Sequence, residues 1–154
     1  MYIPLYVKSN YSLLSSMLKI DDIISYSLAN NLEYASLSDI NMFGVREFIL
    51  KCEKNNLKPI ISISIKIDDI EIVLFAKDYS GYKSLMKIST INSKDHINID
   101  ILKKYSEGLI IVIPFRGRNL YQQLKEVTPL IYFGYSNKTE EEELWKSGYN
   151  ILFF

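Results

Sequence analysis

One cysteine, one histidine, one tryptophan, four prolines and six glycines are all that 154 residues hold of those types. The lone thiol, Cys52, excludes an internal disulfide framework. With no secretory leader in the opening "MYIPLYVKSNYSLL", where Lys8 interrupts the apolar residues, the expected setting is a reducing cytoplasm. The lone histidine, His96, has no partner imidazole for a metal or an acid/base pair. Neither sign of charge prevails, since Lys plus Arg and Asp plus Glu both number 18, so no net field draws the chain to nucleic acid or an anionic membrane. No apolar run approaches the ~18 residues of a membrane span, and no Pro- or Gly-rich stretch marks a linker.

What is present is a core. A chain that is 48% hydrophobic and 23% charged fits a single globular domain over residues 1–154. Short β-branched runs alternate with helical periods, the pattern of α/β units on a largely parallel sheet. "YIPLYVK" (2–8), "YASLSD", "KPIISISIKI", "IEIVLFAK", "GLIIVIP", "PLIYFGY" and "YNILFF" read as strands, the third and fourth forming a hairpin across Asp68-Asp69. Between them fall helical segments. One places Ile20, Ile23, Ile24, Ser27 and Leu28 on one face, and the next buries Val45, Phe48, Ile49 and Cys52. Others follow at "SGYKSLMKISTINS", "NIDILKKYS", "RNLYQQLKEV" and "TEEEELWKSG". Because "NILFF" ends the chain on a core-like strand, the expectation is a fragment of something longer.

Candidates for chemistry are few. Cys52 reads as a small core hydrophobe, and His96 in "NSKDHINID" as a solvated loop residue. The "EEEE" run reads as a solvated, dipole-complementing helix start and Trp145 as core or edge packing. Arg116 and Arg118 in "PFRGRNL" could contact a phosphate from a loop after a strand, although surface charge is the commoner role of such a pair.

The stretch "VKSNYSLLSSMLKIDDIISYSLANNLEYASLSDINMFGVREFILKCEKNNLKPIISISI" resembles the start of the PHP (polymerase and histidinol phosphatase) domain of bacterial DNA polymerase III alpha subunits. "S-x-YSLL", "NMFG" and "KPII" stand in that family's order and spacing. "LFAKDYSGYKSLMKIST" and "KKYSEGLIIVIP" extend the likeness over roughly three-quarters of the chain. The resemblance implies a distorted, compact β/α barrel of about seven mostly parallel strands with outer helices and, in active members, metals held at the carboxyl ends of strands.

Carried onto this sequence, the family's ligand positions fall on Tyr6 and Lys8 (first strand), Ser15 (next loop), Ile40 (after the turn) and Ser64 (third strand). "DINMFG" is also one residue shorter than the family's "DHGNMFG". These are vestigial positions: Ile40 has no lone pair, Lys8 is cationic, and Ser15 and Ser64 are weak neutral donors. Asp39, the turn residue that survives, is expected to cap the following helix or to hold the turn.

The expectation is therefore no catalytic residue, metal or cofactor in this chain. It would serve as a structural and interaction platform in a replicative DNA polymerase III alpha chain. That parent would synthesise DNA with divalent metal in a downstream domain, contact DNA there, and bring this module against its own polymerase domains and other replisome subunits such as a proofreading partner, without a membrane. The alternative is a residual metal-dependent phosphoesterase or 3′–5′ exonuclease.

Overall fold

Two consecutive asparagines followed by a leucine end each of the first two helices, and they do so by the same mechanism. The computed structural model describes residues 3–153. Helix α1 (Ile20–Ala29) and helix α2 (Val45–Lys54) each pass into an asparagine at left-handed φ, Asn31 at 52° and Asn56 at 55°. The amides of Leu32 and Leu57 then return to the carbonyls of Ser27 and Cys52, both at 2.9 Å, and both leucines are buried. This closes the last turn, satisfies its carbonyls and aims the chain into a strand. At the other end of α1, the Asp22 carboxylate accepts from the Lys19 amide at 2.8 Å.

The chain divides into two compact units, Met1–Ile63 and Ser64–Phe154. In the first, strand β1 (Tyr34–Asp39) pairs in parallel with β2 (Lys58–Ile67), in register from Tyr34 opposite Lys58 to Asp39 opposite Ile63. Ile20, Ile23, Ile24, Leu37, Val45, Phe48 and Cys52 form its core. Leu28 and Ile49 depart from expectation, Leu28 exposed and Ile49 half-buried. Each lies at the margin of its helix's apolar stripe, where side chains turn toward solvent.

In the second unit, β2 turns through Asp68 and Asp69, both at left-handed φ (47° and 63°), into β3 (Ile70–Ala76), the geometry of a tight hairpin. Helices α3 (Tyr79–Asn92) and α4 (Ile99–Lys104) carry the chain out and back, so β4 (Leu109–Pro114) starts where β3 stops and pairs antiparallel, Ala76 opposite Leu109. A 3-10 helix (Phe115–Leu120) and the single turn α5 (Tyr121–Leu124) lead to β5 (Ile131–Tyr135), and α6 (Lys138–Lys146) leads to β6 (Ile151–Phe153), these last pairings both parallel.

The strand order is β1-β2-β3-β4-β5-β6. The sheet is mixed: β1–β2, β4–β5 and β5–β6 pair in parallel, while a two-residue turn and a two-helix excursion each reverse the chain direction about β3. Six strands stand among the described residues, where seven are expected. Residues 3–8 form no strand: Pro4 has no amide to give, and serine hydroxyls take the place of a ladder. The Leu5 carbonyl accepts from the Ser38 hydroxyl at 2.8 Å, and the Pro4 carbonyl accepts from Ser36. One backbone bond, Ser38 amide to Val7 carbonyl at 2.7 Å, completes the docking. Tyr2 of that expected strand and Phe154 of the last one lie outside the described residues.

Two glycines of the recognisable motifs meet in the second unit. A Cβ on Gly81, in the first turn of α3, would lie 2.1 Å from the Gly108 carbonyl oxygen, and one on Gly108 (φ 69°) would lie 2.4 Å from the Gly81 amide nitrogen. The Asp78 carboxylate caps α3 at the same crossing by accepting from the Gly81 amide at 3.0 Å. Gly81→Ala should therefore cost about 2 kcal/mol or more in urea denaturation. Gly148→Ala has open space and only a left-handed φ of 72° to oppose it, and should cost about 1 kcal/mol. Equal costs at the two positions would contradict the close crossing.

Candidate functional site

Asp39 ends β1, fully buried, and its carboxylate is enclosed by hydroxyls from the first loop. Oδ1 accepts from the Ser9 amide at 2.7 Å and the Ser12 hydroxyl at 2.6 Å, while Oδ2 accepts from the Ser9 hydroxyl at 2.6 Å. Charge-assisted bonds of this length are among the stronger ones a protein makes. The Ser12 oxygen in turn accepts from the Ile40 amide at 3.1 Å, and the Asn41 side-chain amide donates to the Tyr11 carbonyl at 3.0 Å. Thus residues 9–12 are tied to the loop after β1 by side chain and backbone together.

Tyr11 extends the tie into α2. Its ring lies over Gly44, where a Cβ would come within 2.5 Å of a ring carbon. Its hydroxyl donates to Glu47 at 2.9 Å. The Lys51 ammonium sits 2.7 Å from Glu47 and 2.6 Å from Asp21, joining α2 to α1. Lys51 first, then the Tyr11 hydroxyl, holds the Glu47 carboxyl below the usual carboxylate range. Hydrogen bonding to Asp21 and then Glu47 raises Lys51, and Glu47 raises Tyr11. Because Glu47 is lowered in the folded state, the stability it contributes is present above the ordinary carboxylate pKa and lost as pH falls through the lowered value. Glu47→Gln should remove that component from the acid limb of a stability-versus-pH curve. An unchanged acid limb would contradict the linkage.

Asp39 does not cap α2. That helix starts at Gly44 with no side-chain cap, and the Asp39 oxygens are directed to the first loop instead. Within the first unit, Tyr6 is partly exposed with the Lys8 ammonium 5.2 Å from its ring centroid, Ser15 is exposed in the loop, and Ile40 is partly exposed. In the second unit Ser64 is buried with no hydrogen-bond partner for its hydroxyl. No group of three or more His, Cys, Asp or Glu side chains suited to a metal occurs among the described residues.

The arginines sit on the 3-10 helix rather than in a loop. Arg118 stacks 4.0 Å over the Phe115 ring centroid and bonds Glu143 at 3.0 Å. Arg116 is exposed beside a cavity of about 180 Å³ that Glu140 also lines, so a carboxylate competes with any anion there. His96 is exposed on its loop, and Trp145 is exposed rather than core. Burial pushes the Cys52 thiol up to about 11, leaving almost no thiolate at neutral pH. In the folded chain at pH 7.5, Cys52 should resist a maleimide reagent until denaturant is added. Rapid native-state labelling would contradict its burial.

Strands and helices alternating about a mixed sheet make this an α/β protein. The sequence profile of the PHP domain matches residues 4–146, and the chain belongs to that family. It is similar to DNA polymerase III subunit alpha of Ureaplasma parvum, 36% identical over 152 residues that cover 92% of this chain and 15% of that one. The subunits of Borreliella burgdorferi (37% identical, 71% of this chain) and Staphylococcus aureus (33%, 69%) match over 11% of their own lengths. The chain thus spans only 11 to 15% of these relatives.

Among solved structures, an amidohydrolase from Chromobacterium violaceum with bound sulfate and no metal shares the fold at TM-score 0.62 and 11% identity, over 97% of this chain and 84% of that one. A candidate metal-dependent phosphoesterase from Bifidobacterium adolescentis does so at 0.59 and 9%, over 96% and 84%. No helix among the described residues is long and apolar enough to cross a membrane.

The roles of Ser9 and Ser12 escape sequence reasoning. "S-x-YSLL" is visible as a motif, but nothing local shows that its hydroxyls reach a carboxylate 27 to 30 residues away. Asp39→Ala would leave three donors without their acceptor, and should cost about 3 kcal/mol in urea denaturation. Ser15→Ala, at an exposed position, should stay within about 0.5 kcal/mol. An Asp39→Ala loss below about 1 kcal/mol would contradict the anchoring role.

Proposed function

We propose that this chain is a metal-free, non-catalytic PHP module of a DNA polymerase III alpha type chain, serving as a structural and interaction platform. The observation that carries this reading is the use made of Asp39. The one acidic side chain retained at the strand end gives both carboxylate oxygens to Ser9 and Ser12. The family's other ligand positions hold a phenol at Tyr6, an ammonium at Lys8, hydroxyls at Ser15 and Ser64, and an aliphatic group at Ile40. That donor set does not fit a divalent cation, which asks for carboxylates, imidazoles or several well-placed neutral oxygens.

The similarity to polymerase III alpha subunits along most of this chain supports a parent that carries out DNA-directed DNA synthesis in the cytoplasm. Its divalent metal and its DNA contacts belong to a later polymerase domain, with other replisome subunits as partners. A metal analysis of the purified chain, run with a phosphodiester hydrolysis assay, tests the reading. The expected outcome is less than about a tenth of an equivalent of zinc, manganese or iron and no turnover above a denatured control. Stoichiometric metal with hydrolysis lost in Asp39→Asn would instead make the protein a phosphoesterase or exonuclease.

A further inference from the structure

A cavity of about 430 Å³ opens in the second unit at the amino ends of β5 and β6, whereas β/α proteins ordinarily build their sites at the carboxyl ends of strands. Its size falls in the range of small-molecule sites, about 300 to 1,000 Å³. Its wall is aromatic. The Tyr149 ring centroid lies 4.6 Å from that of Phe133 and 4.8 Å from that of Tyr121, and the Tyr121 and Phe133 centroids are 5.5 Å apart. Phe133 is buried, while both tyrosines are half-buried and so keep surface for another ring. The wall is also held in place: the Phe133 amide donates to the Asn150 carbonyl at 2.8 Å, and the Lys125 amide to the Tyr121 carbonyl at 2.9 Å. That last bond spans one helical turn, which puts Lys125 on the same side as the Tyr121 ring.

The polar groups around the cavity are unevenly committed. Glu126, the one carboxylate among its described lining residues, is matched by the Lys103 ammonium at 2.7 Å. The Thr128 hydroxyl is spent between the Leu109 carbonyl at 3.3 Å and the Leu130 amide at 3.2 Å. Among the described residues no hydrogen bond or ion pair engages the Lys125 ammonium, the Asn150 side-chain amide or the hydroxyls of Tyr121 and Tyr149. Each of these groups can donate and one is cationic, so they call for an anion, while the rings call for a flat apolar face. We propose that this cavity binds a small planar aromatic anion, in the size class of a nucleoside monophosphate, with its ring against Tyr149 and Tyr121 and its anionic group on Lys125. The site goes beyond the platform reading and does not depend on it, since neither Asp39 nor any vestigial ligand position lines the cavity.

An NMR titration of the isotope-labelled 154-residue chain, followed through the backbone amides of residues 125–126 and 148–150, tests this with adenosine monophosphate, adenosine and inorganic phosphate as probes. Adenosine monophosphate should give saturable shifts at both segments with a Kd below about 1 mM. Adenosine should bind about tenfold more weakly for want of the charged contact, and phosphate alone should not saturate at about 10 mM. Lys125→Gln changes an exposed side chain and leaves the fold intact. It should bring adenosine monophosphate down to the affinity of adenosine. Tyr149→Leu keeps an apolar group but removes the ring, and should weaken both aromatic probes about tenfold. Lys125→Gln carries the test by itself if Tyr149→Leu lowers the melting temperature.

No saturable shift up to about 10 mM, or shifts that map outside these two segments, would overturn the site. Equal binding of phosphate and adenosine monophosphate, untouched by Tyr149→Leu, would reduce it to the pull of a surface lysine on any anion and also overturn the proposal. Adenosine bound as tightly as its monophosphate, with Lys125→Gln silent, would leave an aromatic hollow with no preference for charge, which overturns it as well. Lys138→Gln, at an exposed lysine that does not line the cavity, should change the affinity for adenosine monophosphate by less than about twofold. A larger effect would mean that overall charge, not this cavity, governs the binding.

Discussion

The carboxylate of Asp39 is the interaction on which the first unit depends. A carboxylate removed from water has to be repaid in hydrogen bonds, and here the return comes from one amide and two hydroxyls of a loop 27 to 30 residues earlier in the chain. The bonds are short and the groups buried, so the loop is not free to leave without exposing or orphaning them. Tyr11 then passes the constraint to α2 through Gly44 and Glu47, and Lys51 passes it to α1 through Asp21. These last contacts are partly solvated and individually weak, so the buried carboxylate, not the surface ion pairs, sets the energy scale of the latch.

That network gives these motifs a structural role of their own. "S-x-YSLL" and "DINMFG" are not two separate remnants: Ser9, Tyr11 and Ser12 from one touch Asp39, Asn41, Gly44 and Glu47 at or just beyond the other. The second unit offers a parallel case, where "SGYKS" and "SEGLI" meet through Gly81 and Gly108 at a distance that no Cβ tolerates. In both units the recognisable residues are those at which segments distant in sequence cross, and packing alone is enough to require them.

How much of this was legible beforehand depended on range. Strand β2 and its hairpin follow directly from "KPIISISIKI" and Asp68-Asp69, because alternation and turn chemistry are local. The stripes Ile20-Ile23-Ile24 and Val45-Phe48-Cys52 are local too, and only their margins, Leu28 and Ile49, were misread. The first segment was misread because "YIPLYVK" has strand composition, while its docking is decided by the hydroxyls of Ser36 and Ser38, more than thirty residues away. The arginines of "PFRGRNL" were expected in a loop because the 3-10 turn after β4 has no strong periodicity of its own. The role of Asp39 was half legible: a structural role was expected, either capping α2 or holding the turn, and only the cap is absent, while the bonds it does make are long-range ones that no local pattern suggests. Exposure of Leu13, Leu14 and Met17 was not legible at all, because apolar residues in sequence read as core.

The central claim is that the Asp39 oxygens are committed to Ser9 and Ser12 and so are not offered to a cation. Diffraction at the manganese edge from crystals soaked in millimolar Mn²⁺ tests it most directly. The account predicts no anomalous peak beside the Asp39 carboxylate, with both serines still bonded to it. A peak at about 2.2 Å from either oxygen, with the serine hydroxyls displaced or turned into ligands, would contradict it.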